Sequence, residues 1–281
     1  MPIKHTFLVG CPRSGTTLLQ CLLGAHSHIH TFPETALFYK TVPSQSKAMK
    51  NLGIASRAAK DRFREFLDEI ERPELFEHYF HTPITIKQYV TMWVQLLDDL
   101  TMEEGKMVWL EKTPHHVDYL SYIHRYIPDA KIVHIIRNGP DNIASMWEQV
   151  QKARNRNGEG WSLDETVNRW ITAVRASASR IGDDGHFFIL YEDVAENPEA
   201  ALKEILSFMD MPYEHAILER YPEVARSIVL PQEEWKAGVS GPVKNANGMK
   251  FTKLFTEKER EYILEKIKQV QLEEIPRFAK R

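Results

Sequence analysis

Residues 5–17 read His-Thr-Phe-Leu-Val-Gly-Cys-Pro-Arg-Ser-Gly-Thr-Thr. An apolar run ends at Gly10, a second glycine follows at Gly15, and an amphipathic segment rich in leucine begins after Thr17. This order predicts a strand, a glycine-bounded loop and the start of a helix, an arrangement that wraps backbone N–H groups around a phosphate or sulfate. We therefore expect the loop to bind an anion through the following residues: Pro12, Arg13, Ser14, Gly15, Thr16 and Thr17.

The glycine spacing of this loop is that of a Walker A motif, with one change. Thr16 occupies the position where ATP-binding loops carry lysine, and Arg13 is the cation of the loop instead. No predicted strand ends in the aspartate that would complete a magnesium site. An anion of lower charge, handled without a metal, fits this pattern, because arginine, lysine and backbone N–H groups can support transfer of a sulfuryl group. A glycine-rich turn without a ligand is the alternative.

The composition predicts one globular domain over residues 1–281, since 43% of the residues are hydrophobic and 27% are charged. A net charge of −3 gives no general basic surface for nucleic acid or an anionic membrane. No apolar run reaches the ~20 residues that span a bilayer. The two cysteines indicate reduced thiols in the cytoplasm. Three alternating histidines at 26–30 lack cysteine or carboxylate at ligand spacing, so we predict no metal site.

Three later apolar segments predict further strands, over residues 107–110, 131–136 and 186–191. Helical patterns separate them, which is typical of an α/β fold of the P-loop type, a three-layer fold in which helices flank a central parallel sheet of about four or five strands. Residues 44–105 are polar and are predicted to form a helical insertion over one edge of the sheet. Residues 210–255, with frequent proline, glycine and asparagine, are predicted to be irregular and to form a flexible flap.

Cationic and polar side chains follow the predicted strands, at the edge where parallel α/β sheets bind ligands. Lys112 follows the second strand, and we expect its ammonium group to point at the anion in the loop. Arg137 follows the third strand, and Ser145 lies about two turns into the next helix. An arginine fork together with a hydroxyl is suited to one bound phosphate. Tyr191 ends the last of these strands, within reach of a nucleotide.

Glu34 is the candidate general base, because it follows a short strand-like segment and is close in sequence to the anion loop. A capping or first-turn role in the segment 35–40 is the alternative for this glutamate. His115 and His116 follow Lys112 at the predicted start of a helix. For these two histidines, polar helix-start residues are one interpretation, and substrate contact or the role of base is the other.

Four motifs in this order resemble the PAPS-dependent sulfotransferases, where PAPS is 3′-phosphoadenosine-5′-phosphosulfate. They are Cys-Pro-Arg-Ser-Gly-Thr-Thr at 11–17, Glu-Lys-Thr-Pro at 111–114, Arg137 with Ser145, and Tyr-Glu-Asp at 191–193. The resemblance covers residues 5 to about 209. It is strongest to the bacterial and tyrosylprotein-sulfotransferase branch, because the cytosolic phenol and steroid branch usually has lysine in the loop and histidine as the base.

The resemblance implies that residues 12–17 hold the 5′-phosphosulfate, that Arg137 and Ser145 hold the 3′-phosphate, and that Tyr191 lies near the nucleotide. It also implies that Lys250 is a late lysine that closes on the cofactor, although the long glycine-rich C-terminal motif of the cytosolic branch is missing.

The catalytic roles implied by the resemblance centre on Glu34, which matches the base of the tyrosylprotein branch. Lys112 matches a lysine that steadies the transferring sulfuryl group, and Arg13 stabilises charge beside it. His116 is kept as an alternative base. The reaction implied is metal-free, in-line transfer from PAPS to a hydroxyl of a small molecule, carbohydrate, lipid or peptide tyrosine.

Two other functions are compatible with the sequence. One is a metal-dependent P-loop nucleotide kinase or NTPase, which needs Mg²⁺ and a Walker lysine. The other is a non-catalytic nucleotide-binding module that has kept the pocket and lost turnover.

Overall fold

A five-stranded parallel sheet lies at the centre of the computed structural model, which describes residues 2–158, 160–228 and 248–270. The strand order is β2-β3-β1-β4-β5, and all four pairings are parallel. The strands are β1 (Lys4–Gly10), β2 (Ile29–Thr31), β3 (Val108–Lys112), β4 (Lys131–Ile136) and β5 (His186–Leu190). The predicted three-layer α/β class is confirmed.

The helices of the first half are α1 (Thr16–Gly24), α2 (Leu37–Thr41), α3 (Lys47–Asn51), α4 (Ala58–Glu69), α5 (Leu75–Tyr79) and α6 (Ile86–Glu103). A 3₁₀ helix (Pro114–Tyr119) runs into α7 (Leu120–Tyr126). The later helices are α8 (Gly139–Asn157), α9 (Leu163–Ala178), α10 (Tyr191–Glu196), α11 (Pro198–Phe208), α12 (Ile217–Ile228), α13 (Met249–Leu254) and α14 (Glu257–Ile267). No helix in these described ranges is both long and apolar enough to cross a bilayer.

Alternate residues of the inner strands contribute to two separate hydrophobic layers, one on each face of the sheet. Phe7 and Val9 pack into the layer that contains Trp109, whereas Leu8 packs into the layer that contains Val133. All five side chains are fully buried. A strand that is buried on both faces reads as a continuous apolar run, which is why β1 and β4 are visible in the sequence.

The residues between β2 and β3 fold into helices α2–α6, which cover one face of the sheet at this edge. Trp93 on α6 meets the ring of Phe63 on α4 edge-to-face at 5.0 Å. The indole N–H of Trp109 on β3 donates to Asp98 on α6 at 2.8 Å. These contacts join the helices to the strand that ends in Lys112, so they set the surroundings of that lysine.

Two expectations from the sequence differ from the structure. Residues 210–255 are not irregular throughout, because 217–228 form α12 and 249–254 form α13, while 229–247 lie outside the described residues. The apolar positions of α12 recur at helical spacing and α12 packs against α1. Tyr191 begins α10 instead of ending β5.

Three histidines form a hydrogen-bonded chain across β4 and β5. His186 contacts His124 at 2.6 Å through Nε2 and His134 at 2.7 Å through Nδ1. His134 continues the chain to the hydroxyl of Ser177 at 2.9 Å. Burial, with the nearby His124, lowers the pKa of His186 to about 4, and burial lowers the pKa of His134 further below its usual range. These rings are therefore neutral in the folded protein near neutral pH.

The free energy of unfolding should fall as the pH is lowered from about 6.5 to about 4. In the unfolded chain His186 takes up a proton at the ordinary histidine pKa of 6.5. In the folded chain its pKa is about 4, so the ring stays neutral until the pH is lowered to about that value. After discounting for solvent at this partly exposed ring, His186 should contribute about 1–2 kcal/mol. Chemical denaturation of the wild type and of His186→Gln at about pH 7 and about pH 4.5 measures the effect. An equal loss in both proteins would contradict it.

Candidate active site

The loop between β1 and α1 has an unusual backbone conformation. Ser14 N–H donates to Cys11 O at 3.1 Å, and both Arg13 and Gly15 have left-handed φ values, of 70° and 96°. A Cβ atom on Gly15 would lie 2.4 Å from the ring of Tyr191, so only glycine fits there. Alternation of right- and left-handed residues next to a helix N-terminus forms a concave backbone site for anions.

Buried polar atoms in this loop indicate that a ligand completes it. The hydroxyl of Ser14 is fully buried and has no hydrogen-bond partner among the residues that the structure describes. The side chain of Asn142 donates to Pro12 O at 2.8 Å, and within the described part of the chain its own carbonyl oxygen has no partner either. A buried polar group without a hydrogen bond costs about 1–3 kcal/mol, which a ligand with polar groups at the loop would remove. The Ser14 hydroxyl can donate to an anion, so it fits an anionic ligand, whereas the Asn142 carbonyl oxygen is an acceptor and would need a donor group of the ligand.

Two arginines lie together on the β4 side of the loop. Arg13 Nε donates to the hydroxyl of Ser145 at 3.4 Å, and Arg137 donates to Arg13 O at 3.3 Å. The guanidinium of Arg137 lies 4.4 Å from the centre of the Tyr191 ring. Burial, and then the nearby charge of Arg137, lowers the pKa of Arg13. Like charges held this close are suited to an anion, because an anion relieves their repulsion.

Lys112 and Glu34 lie on the opposite, β3 side of the loop. Lys112 ends β3 beside Leu8 of β1, and its side chain is 1% exposed. Its ammonium nitrogen lies 2.5 Å from Glu34 Oε1, and the Glu34 side chain is 34% exposed. The pair therefore combines a buried cation with a carboxylate that solvent can approach.

His116 lies beneath this pair in a buried network. Its Nδ1 contacts Glu111 at 2.7 Å, and its Nε2 accepts a hydrogen bond from Phe38 N–H at 3.1 Å. Burial raises the pKa of Glu111, but His116 and the hydroxyls of Thr113 and Thr35 outweigh burial and lower it. Because both ring nitrogens of His116 are in hydrogen bonds and the ring is fully buried, this arrangement presents neither nitrogen to a substrate.

His115 lies on the other side of the 3₁₀ helix and is half-buried. Its ring stacks on Tyr39, with 4.8 Å between the ring centres. Burial, and then the charge of Arg169, lowers the pKa of His115. A neutral imidazole is a possible proton acceptor, so His115 keeps the alternative role that the sequence gave to both histidines.

Residues 6–215 match the Sulfotransferase family. The chain belongs to this family. It is 24% identical over 253 residues to a protein-tyrosine sulfotransferase of Drosophila melanogaster, and this match covers 86% of the chain and 45% of the fly protein. The chain spans about half the length of the protein-tyrosine sulfotransferases that it matches.

Two solved structures share the fold of this sulfotransferase family member. The sulfotransferase domain of the Synechococcus PCC 7002 olefin synthase superposes with a TM-score of 0.62 at 19% identity, and 95% of each chain is covered. A mouse sulfotransferase in complex with PAP superposes with a TM-score of 0.56 at 14% identity, covering 99% of this chain and 87% of the mouse protein.

Lys250 lies on α13, which packs against α8. Its ammonium group contacts Glu148 on α8 at 2.5 Å. The hydrogen bond from Lys250, followed by the charges of Lys250, Lys152 and Arg13, lowers the pKa of Glu148 against the effect of its burial. Lys250 is therefore held by a carboxylate that also interacts with the cation of the anion loop.

Two contributions to the candidate site could not be predicted from the sequence, those of Arg62 and of Glu111. Arg62 on α4 donates to the backbone carbonyls of Glu34 and Thr35, at 2.7 and 3.1 Å. Nothing in the local sequence links an arginine of the insertion to residues nearly thirty positions earlier. Glu111 was visible as part of Glu-Lys-Thr-Pro, but its role appears only when Thr35, Thr113 and His116 converge on its carboxylate.

Substitution of Gly15 by alanine should weaken binding of adenosine 3′,5′-bisphosphate (PAP) at least about tenfold, which is about 1.4 kcal/mol. The new methyl group would displace Tyr191 and the loop, because it meets that ring at 2.4 Å. Gly53→Ala is the matched control, since Gly53 also has a positive φ but no atom of the described ranges lies within 4 Å of its Cβ position. Calorimetry with PAP measures the affinity of both variants. Equal affinities of Gly15→Ala and Gly53→Ala for PAP would contradict the assignment of the loop as the anion site.

Proposed function

We propose that this chain transfers the sulfuryl group of PAPS to a hydroxyl group, with Glu34 as the general base. The observation that carries the proposal is the 2.5 Å contact between Lys112 and Glu34, one strand away from the anion loop. A nucleophile-activating carboxylate and a cation at the transferring group are the parts that such a displacement requires.

PAPS is the proposed donor because it has two anionic ends, and the site offers the loop with Arg13 and, beside it, Arg137 with the hydroxyl of Ser145. The loop, with the first turn of α1 behind it, is proposed to bind the 5′-phosphosulfate through Pro12, Arg13, Ser14, Gly15, Thr16 and Thr17. Arg137 and Ser145, on the β4 side, are proposed to bind the 3′-phosphate, and Tyr191 to contact the nucleotide. The mouse neighbour that binds PAP supports this choice of ligand.

The proposed reaction is an in-line displacement at sulfur. The acceptor oxygen forms a bond to sulfur while the bond between sulfur and the bridging phosphate oxygen breaks, and Glu34 takes the proton of the hydroxyl. Lys112 and Arg13 stabilise the charge that develops on the sulfuryl and phosphate oxygens. The products are a sulfate ester and PAP. The ammonium of Lys112 also stabilises the ionised form of Glu34, which is the form that accepts a proton.

The acceptor is proposed to be a hydroxyl on a small molecule, a carbohydrate, a lipid or a peptide tyrosine. Several relatives are protein-tyrosine sulfotransferases by name, which makes a tyrosine peptide the first acceptor to test. Incubation of labelled PAPS with a tyrosine peptide, p-nitrophenol, a simple glycoside and a long-chain alcohol, with product detection by mass spectrometry, identifies the class. A protein that binds PAP tightly but sulfates none of them, nor any component of a metabolite extract, would be a binding module.

Replacement of Glu34 by glutamine should lower kcat by about 10²-fold or more, because the amide cannot take the hydroxyl proton. The affinity for PAP should change little, since Glu34 lies on the acceptor side. Glu77→Gln, an exposed carboxylate on α5, is the control that removes the same charge elsewhere. Steady-state kinetics and PAP calorimetry separate the two effects. An unchanged kcat would reassign the role of base to His115.

Replacement of Arg137 by alanine should weaken PAP binding by about 2 kcal/mol or more, because a charge-assisted pair with the 3′-phosphate is lost. Arg175→Ala removes an exposed arginine from α9 and should leave the affinity unchanged. Calorimetry without added metal measures both. Tighter binding of ATP with Mg²⁺ than of PAP would instead favour a metal-dependent nucleotide kinase or NTPase.

A further inference from the structure

The segment that carries Glu34 is held mainly by side chains from other elements. On one side, Arg62 of α4 donates from Nη2 to Glu34 O at 2.7 Å and from Nε to Thr35 O at 3.1 Å. The Arg62 side chain is only 11% exposed. A single guanidinium thus binds the backbone carbonyl of the proposed base and that of the next residue.

A carboxylate on the same helix fixes the orientation of this guanidinium. Glu69, two turns after Arg62 on α4, accepts from Nη1 at 2.8 Å and from Nη2 at 2.6 Å. A bidentate arginine–carboxylate pair has a defined plane, because the fork of donors matches the two oxygens. Since both partners belong to one helix, Nε and the second hydrogen of Nη2 are directed at the Glu34 segment, whereas Nη1 also donates to Glu65 at 3.4 Å.

On its other side, the same segment is held through its backbone N–H groups. Thr35 N–H donates to Glu111 at 3.3 Å, Ala36 N–H donates to the Thr113 hydroxyl at 3.0 Å, and Phe38 N–H donates to His116 at 3.1 Å. Ala36 has a left-handed φ of 51°. Because a non-glycine residue adopts this conformation at a cost, the segment needs these external contacts to keep its shape.

We propose that Arg62 is a positioning residue for catalysis, which holds the backbone of Glu34 so that its carboxylate meets Lys112 and the acceptor hydroxyl. The proposal rests on the proposed function, in which Glu34 is the base. Arg62 itself touches no substrate. Arg62 connects the helical insertion to the site. The insertion, which is proposed to border the acceptor, thereby also sets the position of the proposed base.

The kinetic test compares Arg62→Ala with Arg64→Ala, using whichever acceptor of the panel above gives the highest turnover. Arg64 lies on the same helix and contacts the ring of Phe76 instead of the Glu34 segment. We expect kcat to fall about 10- to 100-fold for Arg62→Ala, because displacement of a reacting group by about 1 Å has effects of this size. The affinity for PAP should stay within about twofold of the wild type, and Arg64→Ala should leave both quantities unchanged.

Two further variants separate positioning from charge. Arg62→Lys keeps the positive charge, but a lysine cannot bind two carbonyls and both oxygens of a carboxylate at once. The kcat of this variant should therefore stay below that of the wild type. Glu69→Gln should also lower kcat, to a smaller extent, because the guanidinium loses its orienting carboxylate. A wild-type kcat for Arg62→Lys would overturn the proposed role of the Arg62 guanidinium.

A double-mutant cycle shows whether Arg62 acts through Glu34. In the Glu34→Gln background, Arg62→Ala should change kcat by less than about twofold, since the group that it positions is already inactive. An undiminished 10- to 100-fold loss in that background would overturn the positioning role while leaving the base assignment intact. An active Glu34→Gln single variant would instead overturn the assignment of Glu34 as the base and reassign that role to His115.

A crystal structure of Arg62→Ala with PAP gives a readout that does not depend on turnover. We expect the contact between Lys112 Nζ and Glu34 Oε1 to lengthen from 2.5 Å beyond hydrogen-bond distance. A folded variant in which this contact is unchanged would contradict the inference, whatever its activity.

Discussion

A buried ammonium group must be paired with an opposite charge, and this constraint organises the side of the site that contains Lys112 and Glu34. Lys112 is carried inward by β3, a strand that is buried along its whole length. Glu34 supplies the opposite charge from a segment outside the sheet. The carboxylate must therefore be brought to the lysine by contacts other than the β-ladder, and those contacts come from Arg62 and from the network around Glu111.

Strand order divides the site into two halves with the anion loop between them. β1, which leads into the loop, lies between β3 and β4. The carboxylate–ammonium pair lies on the β3 side, and the arginines Arg13 and Arg137 lie towards β4. The two sides are therefore suited to different chemistry. The opposite charges on the β3 side suit exchange of a proton, whereas the like charges on the β4 side suit binding of an anion.

The sequence predicted the parts of the molecule whose signals are local. The anion loop, the strands before Lys112 and Arg137 and the α/β class all follow from apolar runs, glycine spacing and the rule for strand ends. Contacts between distant residues could not be predicted in this way. The buried hydrogen bonds of His116 depend on Phe38, and the role of Arg62 depends on how α4 packs, neither of which a single sequence encodes as a pattern. α12 was missed because frequent proline and glycine beyond it concealed its apolar spacing.

The two halves of the site differ in how they are built, and this difference bears on how specificity can change. The anion half consists of a loop and strand ends that belong to the sheet itself, so its geometry is fixed by the fold. The half that contains Glu34 depends on contacts between the backbone of the Glu34 segment and the Arg62 side chain of α4. Substitutions at positions that share no contacting residue have nearly additive effects, so each half of the site can change with little effect on the other. Changes in the insertion can therefore alter the proposed acceptor side while donor binding is preserved. The proposed base keeps its position as long as the Arg62–Glu69 pair keeps its contact with the backbone of Glu34.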